Sequence, residues 1–184
     1  MKIKYLSALL ATGAMALSIP AIANSSDEPS LNFFCQVTEG VPITVAKSTE
    51  SEIQLPIFHW KKEALTYKSD DSPEQLCNMV SEKLENYSDQ VYDLSSINFV
   101  GTEQGGLPVI CANAGETDCS KILLTLRPVS ESEPANVARD VVDSILDKNL
   151  QLKKFEYRTR GVQSISYQVD FWSLLGLRPK FLAE

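Results

Sequence analysis

The sequence predicts an α+β domain: a mostly antiparallel sheet of about six to eight short strands, two main helices on one face, and disulfides to stabilise it. Three observations lead there. Short β-branched and aromatic runs come in groups, not in strict alternation with helices. Only two long stretches carry apolar residues at helical spacing, Leu76 to Tyr87 and Val137 to Leu146. All four cysteines, Cys35, Cys77, Cys111 and Cys119, lie beyond an N-terminal export signal, where an even count reads as two disulfides.

In chain order, Phe33 to Val37 and Ile43 to Ala46 are β-rich runs on either side of a Glu39-Gly40 turn. Ile53, Leu55, Ile57 and His59 alternate with other residues, and Pro56 assigns that strand to a sheet edge because proline cannot donate a ladder bond. The first helix is signposted by Ser72 as N-cap, Pro73 at the first helical position and Gln75 completing a capping box. Leu76, Cys77, Val80, Leu84 and Tyr87 share one face of it. Ile97 to Val100 predicts a strand, with Gly101 to Gly106 as a loop. Leu107 to Ala112 and Lys121 to Leu126 predict a hairpin across polar residues 113–120. Pro134 opens the second helix, which the periodicity carries to about Lys148. Phe155, Tyr157 and Thr159, then Ile165, Tyr167 and Val169, alternate across Gly161 as a last hairpin. Phe171 to Leu177 is a short apolar tail with the character of a helical turn, closed by Gly176 and Pro179.

The first residues carry the three parts of a secretory signal. Lys2 and Lys4 supply positive charge, Tyr5 to about Pro20 is apolar, and Ala21-Ile22-Ala23 is a small-x-small cleavage pattern. Thr12, Gly13, Ser18 and Pro20 interrupt the apolar run before it reaches membrane-spanning length, so no transmembrane span is expected after cleavage. The predicted organisation is a signal at 1–23, a polar leader at 24–30 and one domain at 31–184. The chain holds 17 Lys+Arg against 24 Asp+Glu, a net charge of −7. Cleavage removes two lysines and no acid, so the exported chain is more acidic still. Phosphate recognition needs clustered cations, which excludes nucleic acid as the expected partner. Four cysteines allow three pairings. The turn-like Asn113-Ala114-Gly115 favours Cys111 with Cys119, which leaves Cys35 with Cys77.

Several residue runs, in this order, resemble the circadian oscillating protein (COP-type) domain family of cyanobacteria. They are Phe33-x-Cys35, Pro42 to Ala46, Ile57-x-x-Trp60, Cys77-x-x-Val80-Ser81, Gly106 to Cys111, and Cys119 followed by Leu123 to Pro128. The resemblance spans roughly residues 33–146. Leu76 and Leu84 depart from an arginine and an aromatic at those places, and the hairpin at 152–169 reads as an embellishment. The resemblance implies an exported protein associated with membranes or the cell envelope, with rhythmic expression in the named member; it implies no known catalytic residues.

The residues themselves hold no catalytic constellation. His59 is the one histidine, no Gly-x-Ser-x-Gly elbow exists, and the cysteines are assigned to disulfides. His59 therefore reads as a strand residue with a satisfied or solvent-facing ring. No transition-metal set remains, Asp70-Asp71 reads as a solvated loop, and Gly101 to Gly106 lacks phosphate-loop spacing. No cofactor is expected. Two features suit binding: the cations Lys153, Lys154, Arg158 and Arg160 on an acidic chain, and the aromatic pair Phe171 and Trp172 in the apolar tail. The expected function is a non-enzymatic, exported interaction module (periplasm, thylakoid lumen or extracellular space) that meets a protein or a lipid surface as a peripheral membrane protein. Two alternatives stay open: a carboxylate-dependent hydrolase of an envelope polymer, and a purely structural envelope protein.

Overall fold

A computed structural model describes residues 30–50, 52–66, 68–91, 96–114, 119–159 and 162–177. The expected signal at 1–23, most of the leader, Arg160 and the chain from residue 178 onward lie outside the described residues.

The strands divide between two antiparallel sheets. The first is a meander of β1 (Leu31–Thr38), β2 (Val41–Ser48) and β3 (Gln54–His59), in the order β1-β2-β3. Glu39 and Gly40 form its first turn, both with positive φ (52° and 79°), as a two-residue hairpin requires. Pro56 sits on the edge strand, as its missing N–H demands. A single turn, α1 (Lys62–Leu65), precedes α2 (Pro73–Ser88). The capping box of α2 is complete: Gln75 N–H donates to Ser72 Oγ (3.3 Å), and Ser72 N–H donates to Gln75 Oε1 (2.8 Å). Its buried stripe packs on β1 and β2, and the Cys35–Cys77 disulfide joins helix to strand.

The second sheet holds β4 (Ile97–Gln104), β5 (Leu107–Ala114), β6 (Lys121–Thr125), β7 (Lys154–Thr159) and β8 (Val162–Val169), in the order β6-β5-β4-β8-β7. The Gly101 to Gly106 loop expected from sequence is a correction. The strand continues through Gln104, and only Gly105 and Gly106 turn, with φ of 62° and 80°. Gly101 is in mid-strand because α3 (Pro134–Ile145) crosses there. A Cβ at Gly101 would lie 3.0 Å from the backbone of Ala138 and Arg139. The second helix also ends earlier than its periodicity suggests. Leu146 is extended (ψ 136°) and bridges Phe58 of β3, so Ile145 is the last helical residue. That bridge meets the outer edge of β3 and stops the first sheet from growing.

One core joins both halves. Phe58 of β3 meets Phe99 of β4 ring to ring at 4.9 Å, and Val141, Val142 and Ile145 of α3 pack with Ile97, Ile110 and Tyr167 of the second sheet. Polar groups in the core are satisfied. Trp60 Nε1–H donates to Thr44 Oγ1 (2.9 Å), which also accepts from Ser81 Oγ (3.2 Å). On the opposite face of the second sheet, Val100, Val109 and Cys111 form a small separate cluster against Cys119. After α3 the chain makes a 3₁₀ turn at Lys148–Leu152 and, beyond β8, a last turn α4 (Phe171–Leu174).

A candidate contact surface

The four cysteines pair as the turn chemistry suggests, Cys35 with Cys77 and Cys111 with Cys119. His59 Nε2 lies 2.8 Å from Asp147 Oδ2, with both side chains half-buried or better. Asp147 is doubly used: its N–H donates to Ile57 O (2.8 Å), and its Oδ1 accepts from Asn149 N (2.9 Å) at the start of the 3₁₀ turn. The histidine thus serves as a clasp between β3 and the chain leaving α3. Asp70 pairs with Arg127. Among the described residues no three acids, histidines or cysteines converge as metal ligands.

The predicted cations separate. Lys154 is consumed internally: Nζ lies 3.3 Å from Asp143 Oδ2 and 3.8 Å from Glu156 Oε1, and sits 5.8 Å from the centre of the Tyr167 ring. Burial first, and then its hydrogen bond to Asp143, raises the Tyr167 hydroxyl above the usual tyrosine range. Lys153 remains exposed and, like Lys148, meets no carboxylate among the described residues. Arg160 and the side chain of Arg158 lie outside the described residues.

The aromatic pair is also split. Phe171 is a correction: it is 0 % exposed and packs edge-to-face on Phe33 at 5.7 Å, so it offers nothing to a partner. The reason is local. Asp170 caps α4 by accepting from Ser173 N (3.0 Å), and the turn this closes rolls Phe171 into the core. Trp172 is half-buried and packs against the same core.

What the sequence reading missed is the apolar rim. Leu152 is 86 % exposed, Phe155 52 % and Leu174 42 %. Leu152 and Leu174 flank a cleft of about 130 Å³, whose lining includes Lys153, Gln168 and Ser173. Phe155 stands opposite Ser166 in the β7–β8 ladder, and Gln168 N–H donates to Lys153 O (3.1 Å), so hairpin and cleft are continuous. Leu152 stands beside Lys153 and Lys154 in the sequence, but nothing in that run says that no other element covers it.

An α+β frame with one disulfide anchored on each sheet and an apolar, lysine-bearing corner defines a compact module with a candidate contact surface. Residues 32–175 match the family described as Circadian oscillating protein COP23, and the chain belongs to that family. The match runs through the hairpin at 152–169, which is therefore part of the family domain and not an embellishment. No curated protein matches the chain, and no solved structure does.

Proposed function

We propose that this is an exported, envelope- or membrane-associated binding protein, without enzymatic activity, that rests on an anionic lipid surface through the Leu152–Leu174 corner. The observation that carries the reading is the rim itself: Leu152 and Leu174 exposed at one cleft and Phe155 exposed on the adjoining strand, beside Lys153, which meets no carboxylate among the described residues. Burying a leucine as exposed as Leu152 contributes about 2 kcal/mol. Each lysine near an anionic headgroup layer adds about 1 kcal/mol. The sum fits reversible, salt-sensitive attachment. The two disulfides support an oxidising compartment, in keeping with the secretory pattern of the first residues.

The test is co-sedimentation with vesicles of phosphatidylglycerol or of phosphatidylcholine. The native protein is expected to pellet with the anionic vesicles and to be released by salt. Leu152→Asp and Lys153→Glu should each lower the bound fraction severalfold. Equal partition of native and variant protein would remove the proposal.

A further inference from the structure

Four strands have a side open at a sheet edge, and three of these edges carry charge, proline, shortness or a bridging residue. β3 holds Pro56 and is bridged by Leu146. β6 is only five residues long and starts with Lys121. β7 places Lys154 and Glu156 along its length. Charge, proline, shortness and coverage are the usual devices against unwanted strand addition. β1 differs: its eight residues, Leu31 to Thr38, include neither a charge nor a proline.

The hydrogen bonds show which backbone groups of β1 point outward. Thr49 N–H donates to Ser30 O (3.0 Å), so Ser30 and, by alternation, the even residues bond to β2. Leu31, Phe33, Cys35 and Val37 direct their N–H and C=O groups away from it. One of these rungs is occupied. The Phe33 N–H donates to the Glu85 carboxylate of α2, which stands where a neighbouring strand's carbonyl would be. The outward N–H groups of Leu31, Cys35 and Val37 meet no acceptor among the described residues. Val37 is 59 % exposed, and the Cys35–Cys77 disulfide holds the strand in place beside α2.

We infer that the outer edge of β1 is a strand-addition site for an extended peptide segment of another protein, one with a lysine or arginine beside Glu85. A row of outward N–H and C=O groups at strand spacing is complemented by another strand's backbone. On docking, a peptide carbonyl takes over the Phe33 N–H, and the displaced Glu85 carboxylate pairs with the peptide's cation. The negative charge of the whole chain, −7, favours a basic segment over an acidic one. The disulfide keeps the template ordered before binding, which lowers the entropy cost of docking. This site shares no named residue with the Leu152–Leu174 corner, and either proposal can fail without the other.

The test uses protein purified from its native cells with disulfides intact. The probes are blocked heptapeptides of alternating valine and threonine with a central lysine, a glutamate counterpart, and a lysine peptide N-methylated at alternate amides. With the lysine peptide, amide hydrogen exchange at Leu31, Cys35 and Val37 is expected to slow about tenfold or more. The N-methylated and glutamate peptides should give little protection. Val37→Pro removes an outward N–H and no bond to β2, and should weaken binding severalfold. Glu85→Gln should erase the preference for lysine. The inference is overturned by equal binding of the N-methylated probe, by protection elsewhere, or by no binding at millimolar peptide. It is also overturned if the same amides are protected without peptide in a concentration-dependent dimer, since the occupant is then a second copy.

Discussion

Gly101→Ala tests the tightest joint in the fold, where α3 lies directly on β4. An added Cβ would sit 3.0 Å from the carbonyl carbon and oxygen of Ala138 and 3.0 Å from the nitrogen of Arg139. All three are backbone atoms of a helix whose inner face is packed with Val137, Val141, Val142 and Ile145. A rotamer change cannot relieve the clash, so the helix must retreat by roughly half an ångström from a close-packed interface. Overpacking of this kind costs about 2 kcal/mol. For a domain of this size that lowers Tm by about 4–8 °C. The assay is thermal unfolding of the oxidised protein by circular dichroism, comparing native protein, Gly101→Ala and the double variant with Ala138→Gly. Because the clash is with backbone, removing the Ala138 methyl should not rescue the loss; a glycine inside the helix should add about 1 kcal/mol of damage. A Tm within a degree of native, or full rescue by Ala138→Gly, would refute the reasoning.

The disulfides should differ in weight. Cys35–Cys77 spans 42 residues and Cys111–Cys119 spans 8. Loop entropy then predicts losses of about 4 and about 2.5 kcal/mol for the paired alanine variants, read as the shift in urea midpoint; the reverse order would contradict that account. Tyr167 predicts an alkaline limit. Its proton is held more tightly in the folded chain, so its contribution is whole below the ordinary tyrosine pKa near 10 and is lost as pH rises beyond it. Stability should fall above about pH 10 by at most about 1.4 kcal/mol per unit from this group, and Tyr167→Phe should flatten that slope. An unchanged slope in the variant would assign the alkaline loss elsewhere.

Legibility from sequence followed the range of the interactions. The capping box of α2 involves residues three apart, and it appears in the structure where the residues predicted it. The hairpins expected across Glu39-Gly40, residues 113–120 and Gly161 were equally readable as antiparallel pairs, because alternation and turn residues are properties of a few neighbours. Gly101 shows the limit. A glycine after a β-rich run reads as the start of a loop, and only the passage of α3 overhead explains why it lies in mid-strand. The contact surface was half legible. Lys153 was found by its charge, whereas Phe171, expected as a contact residue, is buried, and Leu152, not singled out by its sequence, is exposed. Composition reports that a side chain is apolar; what covers it depends on elements far away in the chain.

The amino-acid sequence alone determined the α+β class, the family, the two long helices, most strands and the preferred disulfide pairing. Each of these rests on local periodicity, turn chemistry or a short motif. The tertiary structure decided the division into two sheets, the bridge from Leu146 to Phe58, the burial of Phe171, the internal pairing of Lys154 and the contact of Glu85 with the outer edge of β1. These depend on which surfaces meet across tens of residues, and packing sets that only when the whole chain closes on one core.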